Sequence, residues 1–352
     1  RLLMRVSVGR SLLSAALATR PAWQIVRMTG SAPAVSINAG ALVNIDWSVS
    51  LARTGERLAE HAPHKAPFDE GNVRLVVGGG GYLPVLHEVI TQLDVIGEEK
   101  TFEIAPYDAF GERSADLGPV DFPISAAPEG LGIGMTVQLS NGLKAKVTKM
   151  TDATVTIDAN PELAGEALSI TVKLLEEPIA DAYSVLSRAT FAAGCFWGIE
   201  LAYQREPGVI ATKVGYTQGT SQAPTYEKVC TGTTGHTEAV QVTYDPNEVS
   251  YERLCEIFWD RLGESRYKLN QVGNDRGTQY RHGIYPHDAE QSKIALATLK
   301  AARAAAPPGK QVHTEVFPAT EFWRAETYHQ QYLQKGGQSA KKHAEETIRC
   351  YG

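Results

Sequence analysis

Apolar and polar residues alternate through most of the first half of the chain, a period that predicts strands. Residues 41–49, 73–77, 100–104, 135–139, 144–148, 154–158 and 168–174 each read this way. Arg53-Thr54-Gly55-Glu56, Asp108-Ala109-Phe110-Gly111 and the stretch from Asn160 to Gly165 predict turns between them. One short helix interrupts, over residues 82–90, with Leu83, Leu86 and Ile90 on one face. The second half mixes both periods. Strands are predicted at 188–192, 209–216, 239–244, 283–285 and 314–317. A helix over 199–204 is ended by Pro207-Gly208. Ser250 is a good N-cap for a helix whose Leu254, Ile257, Phe258 and Leu262 share a face, with Cys255 packed beside that stripe. Asp288 caps another helix running through Leu299, and the aromatic-rich stretch 321–333 reads as partly helical. The order of elements predicts an α+β chain of two domains.

Composition narrows the class. A chain of 352 residues with 43% hydrophobic content can bury a core in each of two domains. A net charge of -6 and no basic cluster argue against a nucleic-acid partner. No apolar run is long enough to span a membrane. The four cysteines, Cys195, Cys230, Cys255 and Cys350, form no C-x-x-C pair, so no metal site is expected. They are too sparse for a disulfide framework, which fits a reducing compartment and one redox-active thiol. Arg1, Arg5, Arg10, Arg20 and Arg27 are interleaved with Leu, Ser and Ala, and no acid appears before Asp46. That composition predicts a targeting peptide over 1–35, for a chloroplast stroma or mitochondrial matrix. A solvated basic tail on a cytoplasmic protein is the alternative.

The chemistry concentrates at Ala193-Gly194-Cys195-Phe196-Trp197-Gly198, between a predicted strand and a predicted helix. A cysteine at a helix N-terminus meets unpaired N–H groups and the positive end of the dipole, which favour the thiolate. The bland alternative is a buried small hydrophobe. Glu238 shares strand parity with Val240, Val242 and Tyr244, so it points inward, where burial raises a carboxyl pKa and makes a general acid. A salt-bridged glutamate is the alternative. The polar loop from Asn274 to Arg281 crowds Asp275 and Tyr280 around Gly277 and reads as part of a site. The run Gly78-Gly79-Gly80-Gly81 lacks the Lys-Ser/Thr of a phosphate loop and reads as a flexible turn.

Residues 38–178 resemble the SlyD-like branch of the FKBP-type prolyl isomerases. The resemblance rests on the Gly-rich loop before a short helix and Val95-Ile96-Gly97-Glu98-Glu99-Lys100, on Tyr107-Asp108-Ala109-Phe110-Gly111, and on Asp158-Ala159-Asn160-Pro161-Glu162-Leu163-Ala164-Gly165. It implies an FKBP-like antiparallel sheet around a short helix, with a flap inserted near 116–165 that binds unfolded chain. It also implies a prolyl pocket lined by Trp47, Tyr82, Leu83, Leu86, Phe110 and Ile170. Phe110 stands where the family usually has a tyrosine and Ile170 where it has an aromatic, which favours peptide binding over isomerisation. The alternative is that these residues are core packing. A connector over 179–189 follows.

Residues 190–352 resemble the A-class peptide methionine sulfoxide reductases. Gly194-Cys195-Phe196-Trp197-Gly198, Gly235-His236-Thr237-Glu238, Gly273-Asn274-Asp275 with Gly277-Thr278-Gln279-Tyr280-Arg281, and Tyr328-His329-Gln330 occur in order. The resemblance implies a ferredoxin-like α/β sandwich. Cys195 would attack the sulfoxide sulfur, Glu238 would protonate its oxygen, and Tyr226 and Tyr280 would hydrogen-bond it. Asp275 would order the polar loop, while Phe196 and Trp197 would hold the S-methyl group. Cys350 would then resolve the Cys195 sulfenic acid, with thioredoxin as electron donor and no bound cofactor. Oxidised or unfolded proteins would be the clients. Two departures stand out: Leu262-Gly263-Glu264 replaces a His-Asp-Pro-like turn, and His343-Ala344 occupies a region where relatives often carry another cysteine. A part for Cys230 in recycling stays open. So do a thiol peroxidase, and a chaperone with an inert reductase half.

Overall fold

The computed structural model describes residues 35–62, 66, 68–81, 83–139 and 144–349. The first half runs β1 (Leu42–Leu51), α1 (Leu58–His61), β2 (Gly71–Val76), α2 (Pro84–Ile90), β3 (Glu99–Ile104), β4 (Val120–Pro123), β5 (Thr136–Gln138), β6 (Lys144–Met150), β7 (Thr154–Asp158) and β8 (Leu168–Leu174). The second half runs β9 (Ser187–Ala193), α3 (Phe196–Gln204), β10 (Val209–Thr217), α4 (Tyr226–Cys230), β11 (Thr237–Tyr244), α5 (Tyr251–Leu262), β12 (Gln271–Val272), β13 (Asp275–Arg276), β14 (His282–Tyr285), α6 (Ala289–Ala304), β15 (Glu315–Val316), β16 (Trp323–Arg324) and α7 (Tyr332–Lys335). Among the described residues, one compact unit comprises 50–55 and 102–169, and the other comprises 35–49, 56–101 and 170–349.

The smaller unit carries an antiparallel sheet ordered β4-β7-β6-β5. Ala145, Val147, Val155 and Ile157 form its core, and Phe122, Leu131 and Val137 pack against them. The Asp158-Ala159-Asn160-Pro161 stretch is its brace. Asn160 accepts the Ser114 N–H at 2.7 Å and donates to the Ser114 carbonyl at 3.1 Å, and Asp158 pairs with Arg113.

Two further sheets are built mainly from residues of the larger unit. In the first, ordered β2-β1-β8-β3, β1 and β2 pair antiparallel with Leu42 opposite Val76. Trp47, Leu75, Leu86 and Ile90 are among its buried side chains. The glycine run is fastened rather than loose. His87 Nδ1 accepts the Gly78 N–H, and its Nε2 lies 3.2 Å from the Gly81 carbonyl. Gly78, Gly80 and Gly81 all take positive φ, which glycine adopts without strain.

The second sheet has the order β15-β14-β9-β11-β10-β16 and is antiparallel except for the β14–β15 pair. Helices α3, α5 and α6 share one core with it. Phe191 of β9 lies 5.1 Å from Tyr203 of α3 and 5.8 Å from Phe258 of α5, ring centre to ring centre. Cys255 is fully buried in this core. Ser250 and Asp288 cap α5 and α6, accepting the N–H groups of Arg253 and Gln291.

Residues 321–333, expected to be partly helical, are helical only at their end. They form the short β16, then turns, and only α7 at the end is helical. Here side chains replace the helical ladder. Gln330 accepts the Val214 N–H and donates to the Val214 carbonyl, as a neighbouring strand would. Gln331 takes a left-handed backbone, φ 52°, and its N–H donates to Glu200 at 2.9 Å. Among the described residues no helix is long and apolar enough to cross a membrane.

Candidate active site

Cys195 is the N-cap residue of α3, half-buried, where the chain leaves β9. The reversal needs Gly194. Its φ is +75°, and a Cβ there would stand 2.4 Å from the Val272 side chain. The thiol therefore sits where the helix dipole favours its ionised form.

Glu238 comes from the neighbouring strand. Val240 of β11 lies opposite Phe191 of β9, and the same antiparallel register sets Glu238 opposite Ala193, two residues before the cysteine. Glu238 is 2% exposed, and its Oε2 accepts the Phe196 N–H at 3.1 Å. Burial pushes its pKa up to about 8, with Asp275 raising it further and the Phe196 N–H opposing. At neutral pH the carboxyl keeps its proton. The inward pointing expected from strand parity is what the structure has.

Tyr226 opens α4 and Tyr280 closes a 3-10 turn at Thr278–Tyr280; both are half-buried. Burial raises both phenols, and Glu238 raises both further, so they stay protonated donors. Cys230 and Cys195 also act on Tyr226, while Tyr226 and Asp275 act on Tyr280. Asp275 lies on β13, half-buried, and burial raises its pKa. Cys195, Glu238, Tyr226, Tyr280 and Asp275 thus share one electrostatic neighbourhood. Exposed Cys230 lies at its edge, its pKa raised by burial and by Glu238 against the opposing Tyr226 hydroxyl.

Two of the sequence motifs are tied to each other. Thr237 donates to the carbonyls of Gln279 and Arg281 at 3.1 and 3.0 Å, and Arg281 donates to the Gly235 carbonyl. Gly277 takes φ +138°, a backbone that residues with a side chain rarely adopt, and a Cβ there would displace the Gln279 amide. These bonds fix the turn that presents Tyr280.

Phe196 is buried and Trp197 half-buried, their ring centres 6.5 Å apart. Tyr332 stacks on Trp197 at 3.8 Å. The sequence reading gave no role to Tyr216, Glu326, His329 or Tyr332. Glu326 accepts the Tyr226 N–H and the Tyr216 hydroxyl, each at 2.9 Å. Burial would raise its pKa, but these donors outweigh it and hold the carboxylate ionised. His329 sits among Phe196, Trp197 and Tyr226. The one sequence signal for it was the Tyr328-His329-Gln330 motif; Glu326 had none. Cys350, Tyr82 and residues 1–34 lie outside the described residues. Of the expected prolyl-pocket residues, Leu86 and Ile170 are fully buried, Trp47 and Leu83 are buried, and Phe110 is half-buried. Among the described residues no group of three or more His, Cys, Asp or Glu could hold a metal ion.

The model of the peptide methionine sulfoxide reductase family matches residues 187–349. Peptide methionine sulfoxide reductase A2-1 of Oryza sativa subsp. japonica is 50% identical over 197 residues, which cover 55% of this chain and 99% of that protein. The chain belongs to the peptide methionine sulfoxide reductase family. The reductase named A4, chloroplastic, from Arabidopsis thaliana is 53% identical over 169 residues, 47% of this chain. The match spans 64% of that relative's length. Among solved structures, methionine sulfoxide reductase A of Corynebacterium diphtheriae is 36% identical, with a TM-score of 0.40, over 43% of this chain and 75% of that one. The family match lies in the second half of this reductase-family chain and contains every described residue of the site.

Proposed function

We propose that the chain reduces methionine-S-sulfoxide, in proteins and as the free amino acid. The observation that carries this is Glu238: buried, protonated near neutral pH, and hydrogen-bonded to the N–H directly after Cys195. The Cys195 thiolate attacks the sulfoxide sulfur while the oxygen takes the Glu238 proton, with Tyr226 and Tyr280 donating to it. The bond between the two sulfurs breaks as the protonated oxygen passes to Cys195, giving a sulfenic acid and methionine, and Glu238, left as the carboxylate, takes a proton from solvent. Phe196 and Trp197 wall the methyl group, and Asp275 orders the polar loop. Cys350 condenses with the sulfenic acid, releasing water, and thioredoxin reduces the disulfide. No bound cofactor enters the cycle. The test is turnover of the separate S and R sulfoxide epimers with thioredoxin. Wild type should reduce only the S epimer, and Cys195→Ser neither; R-epimer turnover or an active Cys195→Ser variant overturns the reading.

We infer that the first half is an FKBP-like client binder with an inserted flap, delivering unfolded, oxidised chain to the reductase site. What favours binding is a pair of exposed apolar residues in the turn before β5: Ile133 is 66% and Met135 50% exposed. Prolyl isomerisation is the weaker reading, given how deeply Trp47, Leu83, Leu86 and Ile170 are packed. Ile133→Ser with Met135→Ser should slow turnover of an oxidised unfolded protein and leave free methionine sulfoxide unaffected; equal rates on both substrates would remove the delivery role. A prolyl-peptide assay tests isomerisation. An organellar setting follows from the arginine-rich segment, and the relative named chloroplastic supports a plastid.

A further inference from the structure

The last described residues form a loop closed on itself. Gln338 donates to the Arg349 carbonyl at 2.7 Å and accepts the Arg349 N–H at 3.0 Å, so residues 338–349 return to their start. Two cations fasten this loop to the C-terminal end of α3. Arg205, the C-cap of α3, donates from its guanidinium to the carbonyls of Ser339 at 2.8 Å and Glu346 at 2.5 Å. Lys342 reaches the other way, its Nζ donating to the carbonyls of Gln204, Glu206 and Val209 at 2.8, 3.0 and 2.7 Å. Those bonds use all three of its N–H groups, and the Gln204 carbonyl, in the last turn of α3, has no partner within the helix. Burial lowers the ammonium's pKa to about 8, with Asp69, Glu206 and Glu248 opposing, so it stays charged at neutral pH. Asp69 also accepts the Lys342 N–H at 3.3 Å. It comes from the first half of the chain, where its own carbonyl accepts the Trp47 indole N–H at 3.2 Å. Between these pins a cavity of about 340 Å³ is lined by His343, Ala344 and Glu345 on the loop and by Ala202 and Ile257 on α3 and α5. The pins, more than core packing, therefore set the loop's path.

α3 carries chemistry at both ends. It has nine residues, about 13 Å of rise, with Cys195 capping its start and the loop fastened at its finish. Cys350 is the next residue after Arg349. A disulfide needs Cα atoms about 4–7 Å apart. Left free, the stretch from Ser339 to Cys350 would range over roughly 20 Å. Halving that radius cuts the searched volume about eightfold and raises the effective thiol concentration by the same factor. We propose that Lys342 and Asp69 are positioning residues for recycling: together they pin the root of the 338–349 loop, so that Cys350 meets the Cys195 sulfenic acid from a restricted volume. The inference rests on the reductase reading with Cys350 as the resolving thiol. In that step the Cys350 sulfur attacks the sulfenic sulfur, the S–S bond forms, the S–O bond breaks, and hydroxide leaves with the Cys350 proton as water. The thioredoxin dithiol then reduces the disulfide and is itself oxidised. Through Asp69 the first half of the chain acts on recycling as well.

The test gives full-length wild type, Lys342→Met and Asp69→Ala one equivalent of methionine-S-sulfoxide. Methionine, dimedone-trapped Cys195 and the Cys195–Cys350 disulfide are followed in time by mass. Steady-state rates are then compared with thioredoxin, which acts on the disulfide, and with dithiothreitol, which also reduces the sulfenic acid directly. Methionine should form at the wild-type rate in all three proteins, which reports an intact site. In Lys342→Met the disulfide should form about fivefold or more slowly, with the sulfenic acid trappable for correspondingly longer and the rate with thioredoxin falling more than that with dithiothreitol. Asp69→Ala removes one weaker bond and should slow disulfide formation about twofold. It leaves Lys342 on its three carbonyls, so it decides the matter should Lys342→Met lose the methionine step. Disulfide formation at the wild-type rate in both variants, or an equal loss with both reductants, overturns the proposal. No methionine from wild type means that the reductase reading fails. Methionine without a Cys195–Cys350 disulfide in wild type means that the Cys350 assignment fails, and the proposal with it.

Discussion

Replacing Glu238 by glutamine tests the proton donor with little change of shape. The amide oxygen can still accept the Phe196 N–H now held at 3.1 Å, so the helix start is preserved. What is lost is an acid poised near the working pH. Such a donor contributes roughly 10²–10⁴-fold, so kcat/KM should fall by about that factor. The pH dependence is more diagnostic. A carboxyl moved from its usual 4.5 to about 8 is protonated in the folded state across the neutral range. The alkaline limb of kcat/KM should therefore lie near pH 8 in wild type and vanish in Glu238→Gln. Stability carries the same signature. Because the folded state holds this proton more tightly, its contribution is present below the usual carboxylate range and is lost as pH rises toward 8. The full span corresponds to about 4–5 kcal/mol, an upper figure. Glutamine has no such loss, so the variant should gain on wild type by a few kcal/mol between acidic and alkaline buffers. Methionine release under dithiothreitol and urea unfolding across pH give both readings. A loss below about fivefold, or a limb near pH 8 that survives in the variant, would refute the reasoning.

Other expectations come from single contacts. Gly194→Ala puts a methyl group 2.4 Å from the Val272 Cβ at a positive φ; it should cost about 2 kcal/mol or more in urea unfolding, and Val272→Gly beside it, which removes that Cβ, should relieve part of the clash. Glu200 is buried, accepts from Thr212 and Gln331, and burial raises its pKa to about 7. Wild-type stability from this group is present below the usual carboxylate range and fades as pH rises through 7. Thermal unfolding should show Glu200→Gln gaining on wild type by about 2 kcal/mol from mildly acid to mildly alkaline buffer. Thr237→Val removes the bonds to the Gln279 and Arg281 carbonyls. It should lower kcat by roughly tenfold with Cys195 alkylation unchanged, a split that separates Tyr280 placement from thiol reactivity.

Much of this was written locally in the chain. The strand β8, the caps Ser250 and Asp288, and the apolar face of α5 follow from period and capping residue alone. So does the pairing of a helix-start thiol with an inward glutamate, because strand parity fixes which way Glu238 points. Other features depend on residues far away in sequence. The need for glycine at 194 is set by Val272, 78 positions on. The stretch 321–333 reads as partly helical, and it is so only at its end, because Gln330 bonds to β10 and Gln331 to Glu200. Glu326 and His329 sit on that irregular path, where no periodicity announces them. The glycine run reads as loose, and only the fold brings His87 across to fasten it.

The most direct test of the central claim is a single turnover. Reductant-free protein with Cys350→Ser is given one equivalent of methionine-S-sulfoxide and dimedone, then weighed intact and digested. The account predicts one methionine per chain and one dimedone adduct, located on Cys195. Methionine formed without an adduct at Cys195, or no methionine from a chain whose Cys195 still alkylates, would contradict it.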